Sequence, residues 1–340
     1  MVEKRVHFVC RGNSFRSRLA EGYAKSLKRS GYVISSSGID AEDNTDKSIS
    51  PYAREVARRQ NITGFMSKQK RQTTQKLLNS QDVLIFFTKD VYDDASARYK
   101  IDARQAVIWD IEDLSEFLVK HPRTKATESN YEKITAHIAE AVFDKVDELF
   151  EFLEHTSWSA IYDAQNKSLG YHLPVGWTTA RGGLWRRSVH AVVTTANHKY
   201  VVEKRSADIV FAPNMLDISL GGGVDAGETP RQAIIRELNE ELGVRVRPEQ
   251  VTFLGMRKWG TYHPHYHKHT STFLYSYHVK LTVNDPIFVM QASEVREVRL
   301  LSARKVRLLL QRHRLKHVGR LNYGYKYYAD VVKRAKMYVK

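Results

Sequence analysis

The chain has 340 residues, 42% hydrophobic and 11% aromatic, enough for two ordinary globular domains, each with its own core. No apolar run approaches the roughly 18 residues that cross a bilayer, and one cysteine excludes an internal disulfide, so a cytoplasmic chain with no membrane partner is expected. The net charge of +16 is uneven: basic and acidic side chains number 25 and 22 in residues 1–150, 17 and 15 in 151–300, but 12 and 1 in 301–340.

Residues 5–9, Arg-Val-His-Phe-Val, read as a short buried strand, too short for a signal peptide. The loop Cys10, Arg11, Gly12, Asn13, Ser14, Phe15, Arg16, Ser17 follows, then a helical pattern with Leu19, Ala20, Tyr23, Ala24 and Leu27 apolar. A strand, a glycine-bearing loop and a helix start aim backbone N–H groups at an anion. Those dipoles and Arg16 would favour a Cys10 thiolate. The planar fork of Arg16 suits two phosphate oxygens, Ser17 can donate to the sulfur, and Asn13 can hold the loop.

This C-x5-R-S loop resembles that of the low-molecular-weight protein tyrosine phosphatases and of the arsenate reductases that share their fold. Further matches are Ala20-Glu-Gly-Tyr-Ala-Lys25, Ser36-Ser-Gly38 and Pro51-Tyr-Ala53, with residues 81–88 as a central strand and 131–152 as a closing helix. The resemblance implies an α/β domain over residues 1–154, a parallel four-stranded sheet flanked by helices. It also implies that residues 11–17 bind phosphate, Cys10 forms a phosphocysteine, Arg16 holds the transition-state oxyanion, and an Asp followed by Pro protonates the leaving oxygen. Asp113 stands where that Asp is expected, with Leu114 in place of the proline; Asp110 is the alternative. Phe15 replaces a cysteine that relatives often carry. A thioredoxin-linked arsenate relay needs further cysteines, which this chain lacks. Phosphomonoester hydrolysis is therefore expected, and arsenate reduction would require an external thiol.

A polar link at 155–160 leads to a second domain, 161–312, with strand patterns near 161–163, 184–195, 200–206 and 213–219. Residues 222–244 fill every fixed position of G-x5-E-x7-R-E-U-x-E-E-x-G-U, with U apolar. As a helix after Thr229, they put Glu237, Glu240 and Glu241 at i, i+3 and i+4 on one face. Carboxylates so crowded call for a cation, and their oxygens suit Mg2+ or Mn2+, which in turn bind phosphates. Thr229 fits an N-cap, Pro230 the first turn, Ala233, Ile234, Leu238 and Leu242 the buried face, and Gly243 the stop.

The segment resembles the signature box of the Nudix hydrolases, and its framing strands the subgroup related to isopentenyl-diphosphate isomerase. That likeness implies an α+β fold, a mixed sheet sandwiched by helices, and metal-assisted cleavage of a nucleoside diphosphate derivative. By position, Glu237, Glu240, Glu241 and the Gly222 carbonyl would hold the metal, Glu240 would help activate water, and Glu228 would brace Arg236. Isomerase chemistry relies on a cysteine in this domain, and none follows Cys10.

Strands are expected at 251–256, 271–281 and 297–300. Glu294 and Glu297 are candidates for an added ligand or base. Arg186, Arg187, Lys204 and Arg205 could meet substrate phosphates or be solvated strand residues. His263, His265, His267 and His269 alternate, but Pro264 interrupts them and no carboxylate completes a metal set, so a loop near the diphosphate site is preferred. Residues 313–340 form a basic extension. With Arg312, it interleaves Arg314, Lys316 and Arg320 with Tyr323, Tyr325, Tyr327, Tyr328 and Tyr338, a pattern that could bind RNA or single-stranded DNA. The plainer alternative, a helix packed through Val306, Leu308, Leu309 and Val331 with a solvated basic face, is favoured. A bifunctional hydrolase acting on a phosphorylated small molecule, a nucleoside diphosphate derivative or a phosphoprotein is the leading expectation. A regulatory nucleotide- or RNA-binding protein is the contrasting one, and the oligomeric state stays open.

Overall fold

The computed structural model describes all residues except 1, 43–47, 123, 125–126, 181–182, 210–211, 264–267, 317–324 and 339–340. The chain divides into two compact units, Met1–Ile161 with Ser168–Trp177, and Tyr162–Lys167 with Thr178–Lys340. The link expected at 155–160 is not a bare connector. Trp158 is 3% exposed and opens strand β5, because its indole finds apolar cover and a partner for its N–H in the Leu153 carbonyl.

In the first unit the order is β1 (Lys4–Cys10), α1 (Arg16–Ser26), β2 (Tyr32–Gly38), α2 (Pro51–Arg59), α3 (Gln75–Asn79), β3 (Val83–Phe86), α4 (Lys89–Arg98), β4 (Ala106–Ile108), α5 (Leu114–Lys120) and α6 (Glu128–Glu154). A hairpin of β5 (Trp158–Tyr162) and β6 (Ser168–Pro174) and the short α7 (Val175–Ala180) follow. The sheet is parallel and four-stranded, as expected, and its order is β2-β1-β3-β4. Residues 6–10 are all buried, the mark of a central strand covered on both faces. This topology sets the Cys10 loop at the carboxyl end of β1, where helix N-termini gather.

His7 sits wholly inside this sheet, its ring nitrogens each 2.7 Å from a hydroxyl, Ser35 and Ser37. Burial, with the Arg71 charge adding to it, holds its pKa down to about 3. Protons therefore bind the unfolded chain preferentially below pH 6.5. Stability is full above that value and falls as the pH drops toward 3, by up to about 1.4 kcal/mol per pH unit. Denaturant titrations at pH 7 and pH 5 should show this loss, and a His7→Gln variant should lose less; equal slopes in the two proteins would contradict it.

The second unit comprises β7 (Arg186–Thr194), β8 (Tyr200–Arg205), β9 (Leu216–Asp217), β10 (Leu220–Gly223), α8 (Pro230–Leu242), β11 (Val251–His263), β12 (Lys268–Lys280), β13 (Val295–Leu301), α9 (Ala303–Lys316) and α10 (Tyr325–Ala335). Its sheet is mixed, ordered β11-β12-β7-β8-β13, with β10 on β7 and β9 on β8. Alternation along β7 supplies two cores. Val189, Ala191 and Val193 pack with Ala233, Ile234, Leu238 and Leu242 of α8, while Val192 faces Tyr327, Tyr328 and Val331 of α10 and Val306 of α9. The sheet is thus sandwiched by helices.

The described helix α10, within the basic extension, therefore packs onto the sheet. Tyr327, Tyr328, Val331, Val332 and Ala335 fall on one face of α10 and are buried, so the two tyrosines cannot stack on bases. Val306 and Val331 pack as expected, but Leu308 is 45% exposed because it lies on the outer side of α9. Tyr323 and the side chain of Tyr325 lie outside the described residues, as do His265 and His267. Among the described residues no helix is long and apolar enough to cross a membrane.

Candidate active sites

In the first unit the loop after β1 closes around the Cys10 sulfur. Ser17 Oγ lies 2.9 Å from Sγ, and the Asn13 N–H donates to it at 3.3 Å. Asn13 takes a left-handed conformation, φ 49°, and ties the loop down: its amide donates to Ser17 and Ser36, both at 2.9 Å, and its carbonyl accepts from the Arg71 N–H. Gly38 lets the loop pass. A Cβ there would stand 2.5 Å from the Arg11 carbonyl oxygen and 2.6 Å from the Asn13 nitrogen, both backbone. Gly38→Ala should therefore distort the loop and cut any phosphomonoester hydrolysis at Cys10 about 100-fold, by a shift of under an ångström or so at the reacting atoms. Assay against an aryl phosphate checks this, and near-normal turnover would show that the loop tolerates the displacement.

Arg16 opens α1 and is 2% exposed. Its guanidinium donates to the Ile111 carbonyl at 2.6 Å and the Asp113 carboxylate at 3.0 Å, with Glu116 at 3.4 Å. Asp113 caps α5, accepting from the Glu116 N–H and the Ser115 hydroxyl, and Leu114 takes the first helical position. A proline would have suited that position, but the cap holds Asp113 beside Arg16 without it. Asp110, with φ 56°, has no hydrogen bond to this loop among those described. Glu116 accepts from the Asp113 N–H, and burial raises its pKa.

Arg11 points away from the sulfur, donating to Asp40, Asp90 and Asp94. Ser14 and Phe15 instead wall a cavity of about 350 Å3 completed by Asp113, Leu118, Tyr52 and Tyr131. In the sequence Tyr52 stands out only within the motif Pro51-Tyr-Ala53, and Leu118 and Glu116 carry no mark. Helices α2, α5 and α6 bring these side chains together, and no local pattern marks them.

In the second unit α8 starts as expected, Thr229 capping the Gln232 N–H, and stops at Gly243 with φ 68°. Arg236 pairs with Glu228 at 2.8 Å and donates to the Gly223 carbonyl at 3.0 Å, so it braces the loop against the helix. The three carboxylates do not share one environment. Glu237 and Glu241 are buried, whereas Glu240 turns outward to Arg236 at 2.8 Å. The spread of about 40° per four residues around the helix leaves Glu240 at the rim while the flanking pair faces the sheet. Glu237 reaches across Gly222, where a Cβ would stand 2.0 Å from its Oε1, so only glycine fits.

Burial, with Glu240 nearby, pushes Glu237 up to about 7 despite Arg236 at 3.0 Å. Burial and like charge raise Glu241 well above the usual carboxylate range, Glu237 and Glu294 contributing. Of the two further candidates, Glu294 therefore belongs to this acidic region, while Glu297 does not: it is exposed and held by Arg299 at 2.8 Å. Glu203 of β8, which sequence reasoning passed over, is also buried there, and burial and the Glu241 charge raise it well above the usual range.

The donor set fits a hard divalent cation. It consists of carboxylates, and Glu241 Oε2 is buried with no hydrogen-bond partner. Among the described residues no three His, Cys, Asp or Glu side chains stand together at ligating spacing. Arg236 holds Glu237 and Glu240. Arg186 lies beside the box, 4.0 Å from where a Gly223 Cβ would be. Arg187 instead stacks on Tyr162 at 4.0 Å, and Arg205 lies 4.0 Å from Glu203.

A family model of low molecular weight phosphotyrosine protein phosphatases matches residues 5–155, and one of the NUDIX domain matches residues 184–320. An uncharacterized Nudix hydrolase of Rhodococcus erythropolis is 34% identical over 105 residues, 29% of this chain and 55% of its own length. The chain thus spans about half the length of that relative. An arsenate reductase of Staphylococcus aureus is 39% identical over 49 residues, 14% of this chain and 37% of the relative. The crystal structure of a low molecular weight protein tyrosine phosphatase from T. tengcongensis is 21% identical, covering 44% of this chain and 99% of that one, with a TM-score of 0.34.

Proposed function

With a low molecular weight phosphotyrosine protein phosphatase domain and a NUDIX domain joined in one chain, this protein is a hydrolase, and we propose that its two halves cleave different phosphate esters. The first half hydrolyses phosphomonoesters of the phosphotyrosine type. The Cys10 sulfur attacks phosphorus, the ester P–O bond breaks, and Asp113 gives a proton to the departing oxygen. Arg16 and the loop amides hold the equatorial oxygens. Water then cleaves the S–P bond, releasing phosphate and restoring the thiol. The observation that carries this assignment is the contact of Arg16 with Asp113 in a loop whose sulfur is held by Ser17 and Asn13. The cavity walled by Phe15, Tyr52 and Tyr131 suits a flat apolar leaving group. A lone thiol suits a reducing cytoplasm.

The second half hydrolyses a nucleoside diphosphate derivative. Nudix hydrolases generally use divalent cations such as Mg2+, and here Glu237, Glu241 and the Gly222 carbonyl would hold one. The chemistry it supplies when bound is polarisation of the diphosphate and activation of water. Glu240, at the solvent edge, takes the proton of the attacking water, Arg236 keeps loop and helix in register through Glu228, and Arg186 meets a phosphate. A panel of phosphomonoesters and nucleoside diphosphate derivatives, assayed with Mg2+ and with chelator, tests both assignments. Chelator should silence diphosphate cleavage alone; a panel in which neither class is turned over would reject the proposal.

One observation favours a second reading for the first half, the stretch shared with an arsenate reductase. With one cysteine in the chain, such a reaction would draw both electrons through an external thiol. Arsenate reduction that depends on added glutathione and on Cys10 would establish it.

A further inference from the structure

We propose that Glu203 is a further metal-ligating residue of the second unit, a carboxylate from the sheet that shares a hard divalent cation with Glu241 of α8. The proposal rests on the diphosphate-hydrolase assignment of this unit and adds to it a residue outside the signature box. Strand alternation decides where Glu203 points. Tyr200 and Val202 belong to the core beneath α9 and α10, whereas Val201 belongs to the core beneath α8. Two residues beyond Val201, Glu203 projects to the same side of the sheet as α8, the side on which Glu241 is buried.

One oxygen of the side chain has no partner there. Glu203 is 1% exposed, yet its Oε2 has no hydrogen-bond partner, and Glu241 Oε2, at 6% residue exposure, has none either. Arg205 approaches Glu203 only to 4.0 Å, too far for a hydrogen bond. A buried carboxylate oxygen left without a donor is costly and tends to be replaced by an apolar or amide group unless it serves a ligand. Two such oxygens on facing elements, with Glu237 and Glu294 adding negative charge around Glu241, form an anionic, all-oxygen environment. Mg2+ and Mn2+ take their ligands from this chemistry. A polar network would instead have satisfied these oxygens, as the nearby Asp217 is satisfied by His190, Tyr328 and the Ile218 N–H.

Mn2+ titrations of the full chain, followed by electron paramagnetic resonance of the free ion, test the assignment. Glu203→Gln keeps the shape and removes the charge; it should weaken Mn2+ binding about tenfold or more. Glu203→Asp should weaken it less, and Glu297→Gln, altering an exposed residue paired with Arg299, should change nothing. Melting curves in chelator show that each variant is folded. Equal affinity in wild type and Glu203→Gln overturns the role of Glu203 and leaves the metal site standing. A wild-type chain that neither binds Mn2+ nor cleaves a diphosphate overturns the underlying assignment, and Glu203 falls with it. Should Glu203→Gln not fold, the Asp variant decides, and wild-type affinity there counts against the proposal.

Discussion

Cys10→Ser should abolish hydrolysis of an aryl phosphate such as p-nitrophenyl phosphate, lowering kcat by about 10^4-fold or more, and leave diphosphate cleavage unchanged. The reason is the acidity and size of the attacking atom. A thiol gives up its proton near neutral pH with modest help, whereas a serine hydroxyl needs a base. Only Ser17 and the Asn13 N–H touch the sulfur among the described contacts, and neither is a base. The loop itself should survive, because Asn13 and Gly38 hold it independently of the cysteine. Substrate binding should therefore persist while turnover is lost. Phosphomonoesterase activity within tenfold of wild type would show that the nucleophile lies elsewhere.

Glu241→Gln should lower diphosphate hydrolysis by roughly 10^2- to 10^4-fold at saturating Mg2+, with phosphatase activity unchanged. Removing one carboxylate from a hard-cation site weakens both the grip on the ion and the stabilisation of charge on the diphosphate. The same substitution should not lower the melting temperature in chelator. Glu241 Oε2 has no donor, and its charge is opposed by Glu237 and Glu294, so the native carboxylate brings no evident stability to the folded chain. Activity and stability are thus expected to separate, and a joint fall in both would make Glu241 a structural residue. Full activity in the variant would remove it from the site.

Much of both sites was legible in the sequence because their central parts are local. Residues 10–17 and 222–244 carry strand-loop-helix grammar within a few turns of chain, so spacing places Ser17 at the sulfur, Asn13 in the loop and Thr229 at the helix cap, while the family resemblance set Glu228 against Arg236. Alternation and helical periodicity marked the separate strands and helices, since burial of one face of each element writes a period of 2 or 3.6, while the parallel and the mixed sheet followed only from the family resemblances. Where the signal was ambiguous, composition could not stand in for geometry. Tyr327 and Tyr328 look alike among basic residues whether they stack on a base or fill a core; their burial against β7 depends on a strand more than 130 residues earlier. Trp158 reads as linker beside His155, Thr156 and Ser157 until the hairpin covers it.

What the sequence determined by itself was which short segments carry reactive groups and what kind of ligand their spacing suits, because backbone dipoles and side-chain offsets are set within one helix or loop. Only the tertiary structure decided which distant groups join them: Asp113 rather than Asp110 at Arg16 across 97 positions, Tyr52 and Tyr131 on one cavity, and Glu203 among the buried carboxylates. It also divided three neighbouring glutamates into a buried pair and an exposed partner of Arg236. The charge and pKa of a carboxyl follow from desolvation and from what faces it, and those are properties of packing between elements that no local pattern encodes.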